Sequence, residues 1–477
     1  MYDRMPTLSR DQMTKIHDAS MDILSSVGVA FNEEESLAIF KKNGFKVNGK
    51  TVLFSENNVT AALKSAPAHF SLTARNPAKC LNVGMDDFVF VPGYGAPFLI
   101  AADGRQRNAT MEDYNNFCKL VQTSKYIDMN GFMMVEPSDI PPETAHLDMI
   151  LSNILYCDKP FMGSPVSRTG AKDCLEMAAI LWGGKNKIKD QPVTVSLINS
   201  LSPLQFSEEM AGSLIETARY GQACVVASLA MAGASGPITL AGILALQNAE
   251  ILAGLTLAQI IKPGLPIIYG STSSSMDMRT GGLSIGGPAL SMVVSCTAQM
   301  ARFYNLPSRG GGSLTDANYP DAQAGAQSAI ALITAARNGI NFILHACGIL
   351  AAFVAMSFEK FIIDEELCGM IKRLIQPIEI SDESIDIDAI KEVGIGGNYL
   401  TQPKTYELCR TEFFLPELMT VQDFDSWCKA GGKHIDQRAS EILKKRLAVY
   451  EKPGIDPAIE LELSEYVSRR KSEMNRR

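Results

Sequence analysis

The sequence predicts an α/β protein built on a (β/α)8 TIM barrel, with an N-terminal helical extension and a C-terminal helical layer. Eight short apolar runs ending in Gly, Pro, Ser or Asn recur along the chain, their starts 32 to 41 residues apart. Helix-period segments fill the intervals. Eight is also the number at which a parallel sheet of such units closes on itself. A doubly wound open sheet makes the same alternation, and the count of eight favours the barrel.

In chain order, residues 1–85 form the predicted extension. Ser9 caps a helix through Met13, Ile16 and Met21 that Gly28 stops. Glu33–Lys42 and Asn57–Ser65 read as two more helices, and strand-like residues lie around Phe70–Thr73. The barrel spans 86–359. Its expected strands are Phe88–Val91, Met129–Met133, Phe161–Met162, Val193–Ile198, Val225–Leu229, Pro266–Tyr269, Pro307–Arg309 and Phe342–Leu344. Its helices include Glu208–Tyr220, Leu240–Ile261, Ala289–Tyr304 and Ala322–Asn338. After Gly348 the chain reads as helical again over Ala351–Phe361 and Glu365–Leu374, and 360–477 forms a helical layer packed on the barrel.

Composition narrows the function. The chain is 46% apolar and 20% charged with a net charge of −8, and it has no long basic run, which argues against nucleic acid or an anionic membrane as partner. Its ten cysteines are scattered singly, so a CxxC metal knuckle or redox site is not expected. No stretch reaches the unbroken apolar length of a membrane span, and the N-terminus lacks an apolar signal core. A cytoplasmic protein that self-associates is the expectation.

Barrel enzymes react at the C-terminal ends of their strands. That rule nominates Tyr94 and Phe98 after the first strand and Tyr269 at the sixth. It adds Arg309, Gly310, Gly311, Gly312, Asp316, Tyr319, Asp321 and Gln323 at the seventh, and His345 at the eighth. No lysine stands at a strand end, which disfavours a Schiff base. No HxH or HExxH spacing occurs, so no metal site is expected. His345 and Asp316 are the expected catalytic groups; each also has a plainer reading, as a core histidine and as a turn-forming aspartate. The four rings, Tyr94, Phe98, Tyr269 and Tyr319, suit a cage for a quaternary ammonium ion, although a single tyrosine at such a position is more often packing than cage. The glycines allow close backbone approach or simply a turn.

The runs PSRGGGSLTDANYPDAQAG and NFILHACG, preceded by PIIYGS and SGPITLAGILALQNAEILAG, resemble the trimethylamine methyltransferase superfamily. The likeness extends to LSRDQMTKIHDASMDILSSVGV near the start and GGNYLTQPKTYELCRTEFFLPEL near the end. The chain carries no pyrrolysine, so it is most similar to the branch without that residue, typified by enzymes acting on glycine betaine. The resemblance implies a barrel that moves a methyl group from a quaternary amine to the Co(I) of a separate corrinoid protein, with no cofactor tightly bound. A betaine carboxylate would then need donors, which His345, Arg309 or the amides of Gly310, Gly311 and Gly312 can supply. The cage reading rests on strand-end position alone. Two other readings stay open. One is a lyase or isomerase of a phosphorylated or carboxylated substrate using His345 and Asp316; the other is a non-catalytic binder.

Overall fold

The structure, a computed structural model, describes residues 6–476. At its centre lies a seven-stranded sheet, parallel throughout. The strands are β1 (Val89–Phe90), β2 (Phe161–Gly163), β3 (Thr194–Asn199), β4 (Ala223–Ser228), β5 (Ile267–Ser271), β6 (Ser308–Arg309) and β7 (Phe342–Ile343). They lie in the order β1-β7-β6-β5-β4-β3-β2.

The second expected strand, Met129–Met133, forms no ladder. Its chain nevertheless bonds to both end strands. The Asp128 amide donates to Phe90 O at 2.9 Å, and the Met162 amide donates to Asn130 O at 3.0 Å. Gly131 lets the chain fold tightly here, since a Cβ would stand 2.7 Å from Met134 Cγ. That fold interrupts the pairing.

Eight helices alternate with these segments: α1 (Met111–Thr123), α2 (Ala145–Tyr156), α3 (Arg168–Leu181), α4 (Glu208–Arg219), α5 (Leu240–Ile261), α6 (Pro288–Phe303), α7 (Ala322–Asn338) and α8 (Phe358–Leu374). Thr110, Ser167, Ser207, Thr239, Asp321 and Ser357 cap six of them by accepting a first-turn amide. Such caps are worth about 1 kcal/mol each, and they fix where each loop ends.

Strand residues alternate between two cores, as the two-residue period requires. Val195, Leu197, Val225 and Ile268 face the sheet interior. Ile198, Val226, Ile267 and Tyr269 face the helices. Helix α5 is long and apolar enough by composition to cross a membrane, yet 78% of its most apolar window is buried in this protein. It carries buried polar groups that tie neighbouring elements together. Glu250 accepts from the Ser200, Ser202 and Ser228 hydroxyls and the Leu204 amide.

The first 85 residues are not helical throughout. Ser9 does cap a helix, Arg10–Asp22, and Gly28 follows it with φ 79°. Between the helices, however, Val29–Phe31, Lys46–Asn48 and Thr51–Leu53 join Gln205–Phe206 in a four-stranded sheet. Phe31 stacks on Phe206 with centroids 5.0 Å apart, so the extension is held by the loop after β3. At the other end of the chain, Ile435–Ala448 packs on α8 and α1, and Pro457–Met474 packs on α2 and α3.

Candidate functional site

The expected helix Ala351–Phe361 does not start where its composition suggests. Residues 351, 352 and 353 all take left-handed φ, 49°, 51° and 75°, which costs roughly 1–2 kcal/mol per residue. Tertiary bonds impose it: the Ala351 amide donates to Ala317 O and the Ala352 amide to Thr315 O. Short strands Ile349–Leu350 and Ala355–Met356 flank the turn, and α8 begins only at Phe358. The consequence is local and specific. Phe353 is set against His345, with ring centroids 4.7 Å apart. Backbone strain of this kind concentrates at functional sites.

His345, 4% exposed, is itself left-handed at φ 64°. Its Nδ1 accepts the Tyr94 amide at 3.2 Å, and Arg309 Nη2 lies 3.1 Å from its Nε2. Burial, then the charge on Arg309, holds the imidazole well below its usual range, so the ring is neutral. A neutral imidazole has one accepting nitrogen and one N–H. With Nδ1 accepting, the proton sits on Nε2. Arg309 and His345 then meet N–H to N–H.

Arg309 sharpens the point. It extends inward from β6, is 2% exposed, and among the described residues it has no carboxylate partner. Its Nη1 donates to Thr272 Oγ1 at 3.3 Å, and its Nε has no partner. Burial lowers it to about 9, opposed only by the nearby Tyr94 phenol. A buried charge is ordinarily paired or neutralised. This one stays charged, with the Thr272 hydroxyl and His345 as its polar neighbours among the described residues. Burial in turn pushes the Tyr94 phenol up, so it stays protonated.

The other nominated residues lie elsewhere. Tyr269 occupies an outward register of β5; its hydroxyl donates to Asn248 Oδ1 on α5 at 2.8 Å, and it cannot belong to a cage inside the sheet. Phe98 and Tyr319 do come together, but in a separate rim cluster with Ile100 and Ala317; the Tyr319 hydroxyl donates to Asp436 at 2.8 Å. Asp316 is occupied as a loop clamp, accepting the Ile285 and Gly286 amides and the Ser284 hydroxyl. Asp321 caps α7, and Gln323 is exposed beside Gln327. Two of the three glycines serve packing. A Cβ on Gly311 would strike Ala335 at 2.3 Å, and one on Gly312 would strike Leu344 O at 2.4 Å. Gly312 also has φ 120°, so it brings β6 and β7 together at their ends. Gly310 has ordinary clearance.

Five loops that follow strand ends each expose one large apolar side chain. Val166 is 41% exposed, Leu201 53%, Ile238 67%, Met278 66% and Val354 42%. Ile238 and Met278 both border Gly233, so two adjacent loops present one continuous apolar rim.

The chain matches the trimethylamine methyltransferase (MTTB) family over residues 1–475. It is 47% identical to the glycine betaine methyltransferase of Desulfitobacterium hafniense (strain Y51), over 98% of this chain and 97% of that one. It is 32% identical to the proline betaine:corrinoid methyltransferase of Eubacterium limosum over 95% of each. Identity to the trimethylamine methyltransferase MttB of D. hafniense (strain DSM 10664 / DCB-2) is 31%, covering 91% of this chain and 87% of that one. The crystal structure of the Methanosarcina barkeri monomethylamine methyltransferase (MtmB) superimposes with a TM-score of 0.54 at 12% identity, over 95% and 90% of the two chains. That likeness is one of fold. With the match running from end to end, the chain belongs to the trimethylamine methyltransferase family.

Proposed function

We propose that the protein moves a methyl group from glycine betaine to the Co(I) of a separate corrinoid protein. The single observation that carries this is the buried, carboxylate-free Arg309 beside the Nε2–H of His345. A betaine carboxylate supplies the missing acceptor for both groups. Charge-assisted bonds of this kind are among the strong ones.

The carboxylate carbon of glycine betaine is only two bonds from its quaternary nitrogen. A carboxylate on Arg309 and His345 therefore puts the cation within reach of the Phe353 ring against His345 and of Tyr94, whose phenol lies near Arg309. Each ring face contributes about 0.5–2 kcal/mol to holding the cation. In this reading Phe353 replaces the outward-facing Tyr269 in the cage.

The corrinoid supplies the nucleophile, a metal-centred electron pair. As it bonds to the methyl carbon, the C–N pair would return to nitrogen, and dimethylglycinate would leave, its amine neutral and its carboxylate still charged. No proton moves, so the chain needs no tuned acid or base. Its tasks are to align one N–CH3 bond and to exclude water. His345 and Arg309 act by binding, not by proton transfer, and Asp316 holds a loop.

We further infer that the 128–136 segment occupies the eighth position and closes the sheet into a (β/α)8 barrel. The Asp128 and Met162 bonds to either side and the Ala96–Val135 bridge support it. The apolar collar at its mouth, Val166, Leu201, Ile238, Met278 and Val354, suits the face of a corrin and its carrier. Patches of this kind mark interaction sites. The test is incubation with a reduced corrinoid protein and each quaternary amine, with dimethylglycine followed by mass spectrometry. Demethylated product from glycine betaine supports the reading, and none from any quaternary amine refutes it.

A further inference from the structure

Helix α8 begins with two buried charges that methyl transfer does not use. Lys360 and Asp364, one turn apart, form an ion pair in which each side chain is 1% exposed. The Lys360 ammonium lies 2.5 Å from both Asp364 carboxylate oxygens. Taking two charges out of water is costly, and apolar side chains of similar volume often replace such a pair without loss of stability. Stability alone therefore gives no reason for charges here. What the pair holds does.

Each partner makes a further bond. Asp364 Oδ2 accepts the Gly348 amide at 2.9 Å. Lys360 Nζ donates to Ser328 Oγ on α7 at 2.8 Å. The Ser328 hydroxyl donates in turn to Ser313 O at 3.2 Å, in the loop after β6. Ser313 then bonds the loop after β7 twice, its amide donating to His345 O at 2.8 Å and its hydroxyl to Ala346 O at 2.7 Å. The ion pair thus reaches the His345 segment by two routes, one at the histidine's own carbonyl and one at Gly348. That segment needs holding. His345 has φ 64°, Gly348 has φ 94°, and residues 351–353 are left-handed again. A Cβ on Gly348 would stand 2.4 Å from Met356 Cε, so the turn is also tight. Backbone of this kind persists only where its surroundings over-determine it, and a bond to a charged group is stronger than a neutral one. Here the charged acceptor falls at Gly348, between His345 and the Phe353 ring that packs against it.

We propose that Lys360 and Asp364 are positioning residues for the substrate site, clamping the 345–353 segment so that His345 and Phe353 keep the arrangement a betaine needs. This rests on the reading that betaine binds at Arg309 and His345. Neither Lys360 nor Asp364 touches the substrate; both act through the backbone of Gly348 and, by way of Ser328 and Ser313, of His345.

Two double variants of the full chain test this. Lys360→Met/Asp364→Leu removes the charges and every side-chain bond of the pair. Lys360→Met/Asp364→Asn removes the charges but keeps a carbonyl oxygen for the Gly348 amide. Both are expected to keep a Tm close to wild type, because neither leaves an unpaired charge buried. By titration calorimetry the first is expected to bind glycine betaine roughly tenfold more weakly, the loss of about one well-aligned hydrogen bond, and the second is expected to recover most of that loss. Hydrogen exchange followed by mass spectrometry, without ligand, is expected to quicken roughly tenfold over 345–353 in the first variant while the central strands stay protected. Ser328→Ala cuts only the route through Ser313; it is expected to weaken betaine binding and quicken the same exchange by a smaller factor, and it decides the matter if the double variants do not fold. Betaine affinity unchanged in the first variant overturns the proposal, as does exchange over 345–353 that stays at the wild-type rate. A wild-type chain that binds no betaine refutes the betaine reading instead, and the exchange rates, which need no ligand, still decide whether the pair clamps this segment.

Discussion

Replacing Arg309 with methionine separates binding from stability, because the two change in opposite directions. Methionine keeps an unbranched apolar stem but is three heavy atoms smaller, and it removes the charge and every N–H. Losing charge-assisted bonds to a buried carboxylate costs about 3–4 kcal/mol, so glycine betaine affinity is expected to fall roughly 10²- to 10³-fold. The ligand-free protein should become more stable. A buried guanidinium held by only a 3.3 Å bond to Thr272 and a donor-to-donor contact with His345 is expensive. Its replacement by an apolar side chain is worth about 1–2 kcal/mol, enough to raise Tm by a few degrees. Calorimetric titration gives the affinity and scanning calorimetry the stability. Tetramethylammonium, which has no carboxylate, should bind wild type and variant alike. A variant that loses stability and keeps betaine affinity would show that Arg309 is a structural group and would refute the reasoning.

Affinity for glycine betaine should be flat from pH 6 to 8 and fall about tenfold per unit above pH 9, because its carboxylate and quaternary nitrogen do not titrate there and Arg309 does. The sign for stability is opposite. The folded-state value of Arg309 lies below its unfolded 12.5, so the unfolded chain binds more protons between the two values, and this group's cost to the fold diminishes as pH rises through about 9. Titration calorimetry from pH 6 to 10 checks both, and an affinity midpoint near 6 would point to His345 instead. Phe353→Leu should weaken betaine and tetramethylammonium equally, by roughly 2- to 30-fold, measured as Kd; an effect on betaine alone would place the ring elsewhere. Tyr269→Phe removes its 2.8 Å bond to Asn248 and should cost about 1–2 kcal/mol of stability while leaving demethylation rates unchanged. A rate loss with stability intact would return Tyr269 to the site.

Much of the framework was legible because strand ends are written in local chemistry. Seven of the eight apolar runs are strands, and α5 and α7 have the expected limits. Met129–Met133 was not legible as a break, since Gly131 acts through a contact with Met134 that no local pattern reveals. Nor were Val29–Phe31, Lys46–Asn48 and Thr51–Leu53, which are three residues long and completed by Gln205–Phe206 from far along the chain, whereas the strand expected around Phe70–Thr73 is present as His69–Leu72. At the site, proximity to strand ends brought Tyr94, Arg309 and His345 into view. It could not tell inward from outward registers, so Tyr269 was grouped with them. Phe353 was hidden for the reverse reason. Its neighbours Ala351 and Ala352 favour helix, and only tertiary bonds from Ala317 and Thr315 hold them left-handed. The two-residue period of a strand, which puts Ile267 and Tyr269 on one face and Ile268 on the other, is the signal that places the tyrosine on the helix side.

A crystal structure of the protein grown with glycine betaine tests the central claim most directly. The account predicts the carboxylate within hydrogen-bonding distance of both Arg309 and His345 Nε2, with the methyl groups between Phe353 and Tyr94 and one of them facing the mouth. Betaine bound away from Arg309, or bound there with its carboxylate turned from the guanidinium, would contradict it.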